Sequence, residues 1–164
     1  VAPVEWAGVL WNALTELEAE VPVGRLRPEE ASAVHQVRGA AEMSEAAGTG
    51  TRVFHTDPGF STVIFEPEPN FTLSCLSRVV YVKPIPDLTD VPGVLNGVGR
   101  HLQTVALEGS GSRRTTLAEA LGRAGVSRIT SFVEVPWPPP WWHHDGAPVL
   151  TGMVRWIDLE EASD

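Results

Sequence analysis

The chain has one cysteine, one lysine and no long apolar run, and each shortage excludes something. With Cys75 alone there is no internal disulfide and no Cys-cluster zinc or iron–sulfur site, so a reducing, cytoplasmic setting fits best. No stretch reaches the roughly 20 apolar residues that cross a bilayer. The opening VAPVEWAGVL has neither a basic n-region nor an initiating Met, and neither membrane insertion nor secretion is expected. Positive charge is scarce: 12 Lys and Arg face 21 Asp and Glu, a formal net charge of -9. Sequence-independent affinity for phosphate backbones comes from clustered Lys and Arg, so nucleic acid drops out as a partner. Lys83 as the sole lysine, beside abundant Ala, Gly and Val, reads as high genomic GC content rather than function. Also missing are a phosphate-binding GxxxxGK[ST] loop, a GxSxG elbow and the third glycine that would turn Gly97-Val98-Gly99 into a dinucleotide fingerprint.

What is present suits one domain over residues 1–164, since 164 residues with 43% hydrophobic composition can build a single core. Residues 1–48 read as helical. Trp6, Val9, Leu10, Ala13, Leu14 and Leu17 recur at helical spacing from Pro3 to before Val21-Pro22. Pro28-Glu29-Glu30 opens a second helix to about Ala47, with Gly39 as its weak point. Residues 51–135 read as α/β: strand runs in TRVFH, STVIFEPEPN and SRVVYVKPIP, then helix Val91–His101, strand Leu102–Leu107, helix Leu117–Ala124 and strand Ser127–Val133. Thr116 to Glu119 matches a capping box and Gly125 a left-handed C′ position. Short connections in β-α-β-α-β order predict a mainly parallel sheet flanked by helices. Residues 136–164 form a proline-rich loop followed by a terminal strand over Gly152–Asp158, with apolar residues on both faces. Such an edge is a hazard unless another chain covers it, which predicts a homo-oligomer anchored by Trp156.

The segment Trp141-Trp142-His143-His144-Asp145-Gly146 concentrates the chain's chemistry. It reads either as a loop beside a reaction site, with a His for proton transfer whose tautomer Asp145 fixes, or as a rigid surface or interface loop. A metal site is disfavoured, because adjacent His side chains point apart and no third ligand has standard spacing. Cys75, in NFTLSCLSRVV, reads as a small hydrophobe approaching a strand rather than a nucleophile. The loop Gly109–Arg114 suits either an anion or a plain capped turn. A hydrolase built on His144 and Asp145 ranks last for want of a positioned Ser or Cys.

The order SRVVYVKPIPDLTDV, GRHLQTVALEG, LAEALGRAGVSRITSF, PWWHHDGAPVLTGMVRWIDLE resembles the C-terminal region of the LuxC acyl-CoA reductase family, within the aldehyde dehydrogenase superfamily. The resemblance is strongest from Arg78 to Asp158, and its landmarks are Gln103-Thr104, Gly125-Val126, Arg128-Ile129 and Trp142-His143-His144-Asp145-Gly146. It implies the catalytic half of an aldehyde dehydrogenase-like reductase, which reduces a Cys-bound long-chain acyl thioester to aldehyde with NADPH, the acyl group coming from acyl-CoA or an acyl-donor protein partner. It implies further that the nucleophilic Cys and the nucleotide-binding half lie outside this chain, which alone would not complete the reaction. Trp142, His143, His144, Asp145 and Gly146 become pocket candidates. Where related dehydrogenases hold the nicotinamide ribose with a carboxylate, Leu73–Arg78 has none, leaving Arg78 either to meet a cofactor phosphate or to serve as a strand-end surface charge. The resemblance also implies that the terminal strand pairs with another subunit. The alternative is a non-catalytic protein-interaction domain retaining the reductase fold.

Overall fold

The computed structural model describes residues 2–159. The chain divides between Pro86 and Asp87 into two compact units. In the first, helices α1 (Pro3–Glu20) and α2 (Pro28–Ala46) each begin with proline, whose missing N–H costs nothing there. Glu5 and Glu30 reach back to accept from the backbone N–H groups of Ala2 at 3.1 Å and Arg27 at 2.8 Å. These bonds satisfy donors the helix leaves orphaned. Gly39 does not interrupt α2.

Strands β1 (Arg52–Phe54), β2 (Thr62–Phe65) and β3 (Val79–Val82) form a mixed sheet in that order. β1 runs antiparallel to β2, and β3 runs parallel to it. Alternation along β2 sends Val63 to Ala7, Leu10, Trp11 and Leu14 of α1, and Ile64 to Val34 and Ala41 of α2. The helices thus cover opposite faces, which is why Thr62, Val63 and Ile64 are all buried.

This arrangement corrects the stripe read from α1. Leu10 and Leu14 turn inward, joined by Ala7 and Trp11, whereas Trp6, Val9 and Leu17 remain exposed. Six positions at mixed i+3 and i+4 spacing spread too widely around a helix for one sheet to cover.

Both helices hold the loop entering β2. From α1, Glu18 accepts from the N–H groups of Phe60 at 3.0 Å and Ser61 at 2.8 Å and from the Ser61 hydroxyl. From α2, Arg38, only 4% exposed, donates to Thr62 Oγ1 and the Gly59 carbonyl, both at 2.8 Å, and to Asp57 at 3.3 Å. The connection to β3 ends in one left-handed turn, Leu76-Ser77-Arg78, with φ of 68, 50 and 60°. Val79 N–H closes it on the Leu76 carbonyl at 3.0 Å.

In the second unit the helix expected over Val91–His101 is a short α3 (Val91–Leu95) and a separate 3-10 turn, Gly99–His101. Gly93, Gly97 and Gly99, the last at φ 55°, disfavour a continuous helix. Strand β4 (Thr104–Ala106) pairs parallel with β5 (Arg128–Thr130) across α4 (Arg114–Arg123), matching the expected pairing in shorter form. Thr116 is not the cap, because a 3-10 turn, Gly111–Arg113, feeds directly into Arg114. Gly125 does take the left-handed position, at φ 106°.

Beyond β5 lie the hairpin strands β6 (His143–His144) and β7 (Ala147–Pro148). The strand expected over Gly152–Asp158 does not form: Thr151–Met153 is a 3-10 turn, and the following residues are exposed and pair with no strand among the described residues. A strand needs a neighbour's N–H and C=O groups. The strands therefore belong to three small sheets, of three, two and two strands. No described helix is long and apolar enough to cross a membrane.

Two predictions follow the geometry. Although burial opposes it, hydrogen bonding from Phe60 and Ser61 holds the Glu18 carboxyl below the ordinary carboxylate range. Its stabilisation is then present above the unfolded value and lost as pH falls through the lower folded one. Glu18→Gln should destabilise the protein by about 1–2 kcal/mol at neutral pH. In urea titrations the gap to the parent should narrow as pH falls below the ordinary glutamate range and close only under the lowered folded value, where the parent's carboxyl is also neutral. A gap independent of pH would contradict the assignment. Separately, Gly146→Val places a β-branched side chain at φ 79° and should undo the hairpin. The near-UV circular dichroism of the tryptophans should fall while the far-UV spectrum stays; an unchanged near-UV spectrum would count against it.

Candidate functional site

In the second unit the site is built on the hairpin. Asp145 and Gly146 both have positive φ, 51 and 79°, as the two central residues of a type I′ turn require. The approach is stiff: Pro138-Pro139-Pro140 precede a turn in which Trp142 N–H donates to the Pro139 carbonyl at 3.0 Å. Trp142 and His144 meet edge to face, their ring centres 5.0 Å apart. The Arg128 guanidinium lies 5.7 Å from the Trp142 ring and donates to the carbonyls of Glu134 at 2.6 Å and Val135 at 2.9 Å. The Trp142 indole thus has a fixed cation and an imidazole as neighbours.

Asp145 organises the tip. One carboxylate oxygen accepts from the Gln103 amide, and the other stands 3.1 Å from His144 Nδ1. A carboxylate at Nδ1 favours the tautomer protonated there, leaving Nε2 free to accept a proton or a hydrogen bond. His143 instead joins Arg128, Ile129, Trp137, Trp141 and Trp142 in lining an open cleft of about 490 Å³. All six residues from Trp141 to Gly146 apart from half-buried Trp142 are exposed. Among the described residues no group of three or more His, Cys, Asp or Glu could hold a metal ion.

The candidates of the first unit have other occupations. Cys75 is half-buried, packed against the α2-side cluster of Val34, Ala41, Ile64 and Val79. Arg78 donates to the Val21 carbonyl and helps stabilise the Glu18 carboxylate, while its Nη1 is buried without a partner. In the second unit, the Gly109–Arg114 loop takes left-handed glycines at 109 and 111, and the Arg114 guanidinium turns back to the Leu107 carbonyl.

Three landmarks far apart in sequence meet here: Gln103 before β4, Arg128 on β5 and the hairpin. Sequence reading named the hairpin residues but gave Gln103 and Arg128 no site role. No local signal marks Gln103, whose bond to Asp145 spans 42 positions. The Asp-Gly dipeptide was a readable hairpin signal, hidden by the surrounding prolines and aromatics.

No curated protein matches the chain. The sequence model of the acyl-CoA reductase (LuxC) family matches residues 1–156, nearly the whole chain and both units. The chain therefore belongs to the LuxC acyl-CoA reductase family.

Proposed function

We propose that this chain is the C-terminal, catalytic-domain part of a long-chain fatty acyl-CoA reductase of the aldehyde dehydrogenase superfamily, with its small sheets belonging to a mainly parallel one. Family membership over residues 1–156 is the observation that carries the reading. The substrate is a long-chain acyl group, delivered by CoA or an acyl-donor protein and held as a thioester on a Cys outside this chain, then reduced to aldehyde in the cytoplasm. Cys75 is unsuited to that nucleophilic role, being half-buried in an apolar cluster.

NADPH is the reductant in this proposal, yet the described residues do not fit it. The Gly-rich βαβ unit is missing from the sequence, and Arg78, the one candidate for a cofactor phosphate, is turned to the Val21 carbonyl. The cofactor is then held by the companion half. What these residues contribute is a pocket wall. Trp142, His143, His144, Asp145 and Gly146 form it, with Gln103 fixing Asp145 and Asp145 fixing His144, so that Nε2 is presented in one orientation.

Reconstitution with a companion nucleotide-binding half carrying the Cys tests this, by following NADPH oxidation with a long-chain acyl-CoA. The pair should form aldehyde and this chain alone none, and His144→Ala should lower kcat at least about tenfold, the low end for a lost proton-handling group. An inactive pair would defeat the reductase reading; full activity of His144→Ala would defeat the pocket assignment.

A homo-oligomer through Gly152–Asp158 is part of the same proposal. Met153, Trp156 and Ile157 are 79, 72 and 87% exposed, a run that a strand added from a second copy would cover. The same exposure favours, as the second reading, a non-catalytic interaction domain on a reductase fold. Light scattering should show a smaller assembly for Trp156→Ala and for deletion of 152–158. Unchanged mass in both would defeat the interface.

A further inference from the structure

We propose that the outer face of α1 is a docking surface for a basic amphipathic segment of a partner protein. The helix is apolar on two sides. Ala7, Leu10, Trp11 and Leu14 face the sheet, yet Trp6, Val9 and Leu17 remain 47, 60 and 44% exposed. With exposed Ala13 these positions follow one another at three- and four-residue steps, forming a single stripe roughly 16 Å long at 1.5 Å per residue. The stripe runs beside the face that meets the sheet, and Trp6, Val9 and Leu17 take no part in the core cluster under α1. An unpartnered stripe of this kind marks a binding face.

Charge selects the occupant. Glu5 and Glu16 are exposed along one margin of the stripe and Glu20 at its C-terminal end, α1 contains no Lys, Arg or His, and among the described residues no cationic side chain pairs with these three carboxylates. A partner helix with leucine-like residues on one face and Lys or Arg beside them meets both features. The apolar stripe supplies affinity, and the acidic margin supplies orientation and encounter rate. A second copy fits poorly, since two such faces would bring their carboxylates together. A lipid surface fits poorly too, because anionic headgroups repel the margin and amphipathic membrane helices carry Lys and Arg there.

The probe is a labelled 18-residue leucine/lysine amphipathic peptide, with a leucine/glutamate peptide as its counterpart, titrated against the intact protein by fluorescence anisotropy. The leucine/lysine peptide should bind and the leucine/glutamate peptide should not. Val9→Ser/Leu17→Ser and Glu16→Lys/Glu20→Lys should each weaken binding about tenfold or more, a loss of roughly 1.4 kcal/mol. The charge variant leaves the apolar stripe and the core intact, so it decides the matter even if the serine variant folds poorly. Glu29→Lys/Glu68→Lys, with the same change in net charge at exposed positions of the first unit outside α1, should bind like the parent. Equal weakening by that control would show attraction to overall charge alone and overturn the proposal. It would equally be overturned by binding of the leucine/glutamate peptide, by a dimer that Val9→Ser/Leu17→Ser dissociates, or by adsorption to phosphatidylglycerol vesicles that the same variant abolishes. None of these measurements depends on reductase activity.

Discussion

A strand buried on both faces has to be gripped from two directions, and β2 is such a strand. Val63 belongs to the core under α1 and Ile64 to the core under α2, so any slip of the strand would expose one set and misplace the other. The loop before it is therefore fixed by one side chain from each helix, Glu18 from α1 and Arg38 from α2. Their chemistry suits the task. A carboxylate collects the free N–H groups of Phe60 and Ser61, and a guanidinium collects the Gly59 carbonyl, the Thr62 hydroxyl and Asp57. Burial pushes the Arg38 guanidinium below its ordinary range, opposed by Asp57, Glu18 and Glu42, so the opposite charges at the loop support one another.

The parts of this fold legible in the sequence are those whose cause is local. Pro3 and Pro28 mark helix starts because proline is tolerated only there, and Gly125 marks a helix end because a left-handed residue is needed there. The parallel pairing of β4 with β5 also follows from local signals, two β-branched runs around a well-marked helix. What failed depends on distant partners. Which face of α1 would be buried depends on the sheet, and the strand expected at Gly152–Asp158 has no neighbour among the described residues. The reach of Glu18 and Arg38 across the fold left no trace in spacing.

For the candidate site the balance differs. Composition alone singled out Trp141–Gly146, because tryptophan, histidine and an Asp-Gly pair seldom crowd together, but it could not say what those residues touch. The convergence of Gln103, Arg128 and the hairpin is a property of tertiary structure. Gln103, Arg128 and Trp142–Gly146, which carry the resemblance read from the sequence, share one network of contacts.

The left-handed turn at Leu76–Arg78 places backbone strain beside the most deeply buried part of the first unit's sheet. Leu, Ser and Arg each give up roughly 1–2 kcal/mol to adopt that handedness. The turn delivers the Arg78 carbonyl to the Thr62 N–H, the first rung of the β2–β3 ladder, while the far rung, from the Glu66 N–H to the Val82 carbonyl, carries no such strain. The near rung is nonetheless the more firmly held of the two: Thr62 and Val79 are 0 and 3% exposed and Arg38 donates to Thr62 Oγ1, so the turn's strain is stored at the end of the ladder where burial can hold it.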